Sequence, residues 1–174
     1  RNFVENSVLG YLVFAGENER VSEFLASTDP KRLDERKLAV ARSLTVIKKD
    51  IELLSLIESI DEEKDRDIAF IEQSSFLREN SEFERAEWLG KLIVKDEVRA
   101  EVLASIASAL ARAGEFDEAM RLIKFLRDSN LDHVELVTPH LATVYALQGK
   151  QRQVELLLWS VQGAGQYESQ AHRR

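Results

Sequence analysis

One pattern constrains this chain more than any other: an amphipathic helix, a tight turn and a second amphipathic helix recur every 32 to 35 residues. A repeat of that length is one supersecondary unit that cannot bury its apolar face alone, so it governs the fold before any single motif does. The clearest unit runs from Ala100 to Asp132. In it Leu103, Ile106, Ala107 and Leu110 mark one face of a first helix, and Ala113-Gly114-Glu115-Phe116-Asp117-Glu118-Ala119 turns the chain into a second. Gly114 sits where a helix closes on a left-handed residue, a conformation that costs glycine nothing. Ala119, Ile123 and Leu126 then mark the buried face of the second helix at helical spacing.

Sliding this unit along the chain puts Val21, Leu53, Ala86 and Val154 in the place of Ala119, at steps of 32, 33, 33 and 35 residues. Leu12, Leu44, Leu77, Leu110 and Tyr145 then form one column late in the first helix. Ile60, Ile93, Leu126 and Val161 form another late in the second, with Thr28 in the first unit. Three places before the first of these columns stand Ala41, Ser74, Ala107 and Ala142, small residues where two helix backbones would approach, and only Leu9 breaks that set. The units predicted in this way span about 2–33, 34–66, 67–99, 100–132 and 135–162, with a polar tail at 163–174.

Composition agrees with an all-α chain. Seven Gly and two Pro in 174 residues cannot supply the turns that a sheet protein needs, and Val, Ile and Thr are scattered rather than gathered into alternating runs. With 44% hydrophobic and 32% charged residues the chain is expected to fold, as one cooperative unit at this length. The net charge of −7 opposes the counterion-release attraction of nucleic-acid binders, so nucleic acid is not an expected partner. The absence of cysteine removes disulfides, thiolate chemistry and Cys-bound metals, and fits a cytoplasmic location. Apolar stretches such as Val8 to Ala15 fall far short of the ~20 residues of a membrane helix, and no leader pattern opens the chain. No membrane partner is expected. Arg1 in place of a methionine, followed at once by an amphipathic pattern, suggests a piece cut from a longer protein.

These units resemble the tetratricopeptide family over roughly Arg1 to Gln162. The resemblance rests on Gly16, Gly114 and Gly149 at the turn, on Phe83 and Phe116 two residues past it, and on Ala86 and Ala119. The family's early aromatic is matched only by Phe70, and its closing proline by no unit. The resemblance implies an α-solenoid of about five antiparallel helix hairpins wound into a right-handed superhelix.

Capping chemistry suggests the joints between units. Asp29, Asp61, Asp96 and Asp128 lie near the ends of second helices, where each can cap the helix that follows, and Asp29-Pro30 marks a stop. Glu62-Glu63-Lys64-Asp65-Arg66 reads as a solvated helix start or loop. Pro139 allows two placements. Thr138 can cap a helix that begins with Pro139; alternatively Asp132, boxed by Glu135, caps earlier and Pro139 kinks the helix. The repeat register favours the kink.

A search for catalytic and metal-binding patterns finds none that is convincing. His133 and His140 are seven residues apart, wider than the usual i, i+4 metal pair, and His172 lies in the polar tail. No Gly-rich phosphate loop or Gly-x-Ser-x-Gly elbow is present, and pairs such as Glu82 and Glu84 are what helix surfaces of an acidic chain produce by chance. No enzyme activity, metal or cofactor is expected.

What the resemblance implies instead is a protein or peptide bound in a groove lined by the first helices. Carried over by register, that groove comprises Asn6, Gly10 and Val13; Leu38, Arg42 and Thr45; Ile71, Ser75 and Arg78; Ala104 and Ser108; and Thr143. Arg42 and Arg78 are candidates to grip the carboxylates of an extended acidic segment. The Lys and Asn set with which chaperone-binding members clamp a terminal carboxylate is not in register. Two apolar ends, Val8 to Phe14 and Val154 to Val161 with Leu156 and Trp159, are candidates for self-association as a homodimer. Against this scaffold stands one other expectation, a sensory or regulatory domain of a larger signalling or transcription-regulating protein.

Overall fold

The computed structural model of the protein describes residues 2–131 and 135–157. Among the described residues the chain is helical throughout, with no strand. In order come α1 (Asn2–Phe14), α2 (Asn18–Ala26), α3 (Pro30–Val46), α4 (Asp50–Glu58), α5 (Glu63–Glu79), α6 (Phe83–Lys91), α7 (Asp96–Ala113) and α8 (Phe116–Asp128). A 3-10 turn at Glu135–Val137, α9 (Thr138–Leu147) and a helical stretch at 151–157 follow. No described helix is long and apolar enough to cross a membrane.

The turn inside each pair of helices is built the same way five times. Gly16, Lys48, Ser81, Gly114 and Gly149 all take positive φ, between 58° and 87°. At each, the amide one residue later donates to the carbonyl five back, namely that of Leu12, Leu44, Leu77, Leu110 or Tyr145, at 2.8–3.0 Å. The positive-φ residue itself donates to the carbonyl three back. Carbonyls at the helix end that would otherwise lack partners are satisfied in this way, and the chain is aimed into the next helix. Glycine occupies three of the five places because it alone adopts this backbone without a Cβ penalty. Lys48 and Ser81 adopt it despite their side chains.

The chain divides into two compact units, 1–94 and 95–174. In the first, α1 packs against α2 and α3, α3 against α4 and α5, and α5 against α6. Leu9, Leu53, Ile57, Leu77 and Ala86 are wholly buried there, each large aliphatic side chain contributing about 1.5–3 kcal/mol of transfer free energy. Small residues do mark close approaches: the Ser74 hydroxyl on α5 donates to the Ala86 carbonyl on α6 at 2.8 Å. Ile60 and Ile93 fall just beyond the nine-residue helices α4 and α6, yet both are buried. In the second unit α7 packs against α8, the 3-10 turn and α9, and α8 against α9. Its core includes Leu103, Ile106, Ala119, Leu122 and Leu126.

Two expectations about helix ends need correction. Asp29 caps α3 through a 3.0 Å bond from the Lys31 amide, with Pro30 in the first turn. The other three aspartates do not cap. Asp96 is already the first residue of α7, Asp128 is the last of α8, and Glu62 stands at the cap position of α5 without a side-chain bond. Asp96 lies inside the first turn, where its charge favours the helix dipole and pairs with Arg99, and Lys95 stands at the cap position of α7 without a side-chain bond. Pro139 does not kink a helix. It lies in the first turn of α9, after Val137 and Thr138, where its missing amide would have had no partner in any case; the residues before it take a 3-10 turn instead. Asp132 lies outside the described residues.

Candidate functional site

Within the first unit, α1, α3 and α5 lie side by side and carry nine of the groove residues selected from sequence. The α1–α3 contact is polar at one end and tight at the other. Arg36, with 1% of its surface exposed, bonds both the Asn6 amide oxygen and the Glu5 carboxylate, and Arg32 reaches the same carboxylate at 3.2 Å. A Cβ added at Gly10 would stand 3.2 Å from the Ser43 hydroxyl, so a larger residue there would make the serine give way by a few tenths of an ångström. Asn6 is therefore engaged by Arg36, and Val13 is buried.

Along the α3–α5 contact Thr45 is also buried, its hydroxyl 3.0 Å from the Gln73 side-chain oxygen and 2.9 Å from the Ala41 carbonyl. Arg42, three residues away on the same helix, is open: its side chain is 65% exposed and pairs with Glu72 on α5 at 2.9 Å. Leu38, Ile71, Ser75 and Arg78 are half-buried, and Arg78 has Glu79 at 3.6 Å. Leu38, Arg42, Ile71, Ser75 and Arg78 thus share two adjacent helices at accessible positions. Burial leaves Val13 and Thr45 no free surface to offer.

In the second unit Ala104 and Ser108 are buried, and the Ser108 hydroxyl accepts from Arg112 at 3.0 Å. Thr143 is half-buried and donates back to the Pro139 carbonyl at 2.9 Å. Leu156 is 63% exposed. Trp159, His133 and His172 lie outside the described residues.

Two features were missed from sequence. The first is a cleft of about 760 Å³ between α2 and α4, walled by Val13, Val21, Leu25, Leu44, Ile51 and Leu56, with Lys49 and Glu52 paired at 3.2 Å on its rim. The signal was there in α4, where Ile51, Leu53, Leu54, Leu56 and Ile57 are more apolar residues than one buried face requires. The second is an ionic knot around Arg85 of α6. Its guanidinium reaches Asp50 at 3.1 Å, Glu82 at 2.8 Å and the Thr45 carbonyl at 3.1 Å, while Lys48 approaches Glu82 at 3.3 Å.

Electrostatics follow from these partners. The hydrogen bond from Arg85, assisted by Lys48, holds the Glu82 carboxyl below its ordinary value, and pairing with Asp50 raises Arg85. Glu52 is lowered by its own backbone amide at the start of α4 and then by Lys49. Among the described residues no three His, Cys, Asp or Glu side chains converge on a point that could hold a metal. Comparison of the chain with known protein families, with curated proteins and with solved structures finds no match in any of the three. The arrangement is one of surfaces: a mixed strip on α3 and α5 and an apolar cleft between α2 and α4.

Proposed function

We propose that the chain is a tetratricopeptide-like solenoid of about five helix hairpins, right-handed in its superhelix, that acts as a non-enzymatic interaction scaffold in the cytoplasm. The observation that carries this reading is the single turn geometry repeated at Gly16, Lys48, Ser81, Gly114 and Gly149, in step with the sequence repeat. Units of one construction that each need a neighbour to bury their apolar face form stacks, and stacks present extended binding surfaces.

The strip of Leu38, Arg42, Ile71, Ser75 and Arg78 takes an extended acidic peptide, its carboxylates on the two arginines and its apolar side chains on Leu38 and Ile71. Supporting this, Arg42 is open to solvent and its pair with Glu72 is the kind of exposed ion pair worth only about 0–1 kcal/mol, which an incoming carboxylate can displace. Fluorescence anisotropy with a labelled peptide of alternating Glu and Leu tests it. Arg42→Glu with Arg78→Glu should weaken binding at least about tenfold, the effect of ~1.4 kcal/mol, with the circular dichroism spectrum unchanged. Equal binding by the double variant would sink the peptide strip.

The cleft between α2 and α4 favours a second reading, a regulatory domain that senses a small apolar ligand. Its volume of about 760 Å³ is that of ligand pockets in general. A thermal upshift with medium-chain fatty acids that disappears in Ser22→Trp, which fills the cleft, would support this reading; no shift with any apolar ligand would end it.

A further inference from the structure

On α1, Val4, Val8 and Tyr11 form a stripe one helical face wide, and they are 63%, 46% and 72% exposed. Most of their register equivalents on the other first helices are buried. On α3 the same places hold Arg36, Val40 and Ser43, at 1%, 3% and 8%, against α1. On α5 they hold Ala69 and Gln73, at 0% and 1%, with Gln73 bonded to Thr45 of α3, and the half-open Phe76. In the second unit they are Val137, Leu141 and Val144, at 0%, 3% and 0%, where α9 and the turn before it pack on α7. Three times, in two units, this face of a first helix is covered by the first helix before it.

The covering face is equally regular. Asn6 and Gly10 of α1 meet Arg36 and Ser43, and Arg42 and Thr45 of α3 meet Glu72 and Gln73. The corresponding places on α9 are Pro139, Thr143 and Ala146, exposed or half-buried, beside Leu147 at 47% exposure. In a chain of 32% charged residues, α9 contains no Asp, Glu, Lys or Arg, and α1 has only Glu5, which is held by arginines of α3. Neither face carries a charge that burial would have to desolvate.

We infer that a second copy of this chain docks head to tail, the Val4–Val8–Tyr11 face of α1 receiving the Pro139–Thr143–Ala146 face of α9 from its neighbour. The contact repeats between molecules the register that α1–α3, α3–α5 and α7–α9 use within one. It is heterologous, so it adds copies in a line or closes a ring. It rests on the repeat register and not on the peptide strip, so either can fail without the other.

Sedimentation and light scattering of the full chain over a concentration series test it, with Tyr11→Glu and Ala146→Glu as the two face variants. The expected result is a wild-type mass that climbs past the dimer, monomers for each variant alone, and a one-to-one heterodimer on mixing them, because the mixture retains one intact pair of faces. Both positions are exposed, and circular dichroism checks that each variant is folded; if Tyr11→Glu is not, Tyr11→Ser replaces it. A monodisperse wild-type monomer at every concentration overturns the inference. So does loss of assembly in Tyr11→Glu while Ala146→Glu still assembles, which is the mark of a symmetric α1–α1 contact, or a mixture that forms no heterodimer.

Discussion

The guanidinium of Arg85 on α6 grips the carboxylate of Asp50, the first residue of α4, 35 residues earlier in the chain. The same guanidinium bonds the Thr45 carbonyl at the end of α3, and its hydrogen bond to Glu82 lowers the pKa of that carboxyl. Replacing Arg85 with Met should cost about 1–2 kcal/mol at neutral pH in urea unfolding, discounted from the value of a charged hydrogen bond because the knot is partly solvated.

That knot also predicts a pH dependence. Glu82 has a folded pKa below its unfolded one, so it contributes stability in full above the ordinary carboxylate value and loses it as pH falls through the depressed one. Wild-type stability should therefore decline as pH falls from the ordinary carboxylate value through the depressed one. The Arg85→Met chain should decline less steeply over that range; parallel slopes would remove Arg85 as the cause.

Gln73 is the polar member of an apolar column, with Val8, Val40, Ile106 and Leu141 at the equivalent places. Its side chain is 1% exposed, and its amide nitrogen makes no hydrogen bond among the described residues. An unmet buried donor costs about 1–3 kcal/mol, so Gln73→Leu should raise the urea midpoint by an amount in the lower part of that range. Thr45 keeps its bond to the Ala41 carbonyl in the variant. A lower midpoint would show that the Gln73–Thr45 contact outweighs the orphaned nitrogen.

The turn column makes opposite predictions for two positions. Ser81, at φ 62°, strains its backbone, and Ser81→Gly should gain up to about 1 kcal/mol. Gly114, at φ 87° with nothing near the place of a Cβ, should lose about 1–2 kcal/mol on change to Ala, for conformational reasons alone. Thermal unfolding of the two variants measures both.

The exposed pair of Arg42 and Glu72 should hardly matter to the fold. A double-mutant cycle with Ala at both positions should return a coupling of about 0–1 kcal/mol. A larger coupling would mean that Arg42 is structural, and its Glu variant would be a poor probe of peptide binding.

What the sequence determined by itself was local. The column from Gly16 to Gly149 was readable because each turn is closed by bonds spanning only three to five residues, so the residues that make it stand together in the chain. The stations at Leu53, Ala86 and Ala119 were readable for the same reason: helical spacing marks which face of a helix is apolar. Lys48 and Ser81 were not readable as left-handed residues, since neither side chain asks for that conformation and the hydrogen bonds around them impose it.

Only the tertiary structure decided which faces stay open. Arg42 and Thr45 are three residues apart on one helix, yet one is 65% exposed and the other is buried against Gln73, because α5 covers Thr45 and leaves the Arg42 side chain in solvent. The same holds for Val4, Val8 and Tyr11, whose apolar spacing reads like a core stripe and which nevertheless face outward. Amphipathic periodicity tells a helix that it has a face to bury; what covers that face is a matter of long-range packing, and no local pattern encodes it.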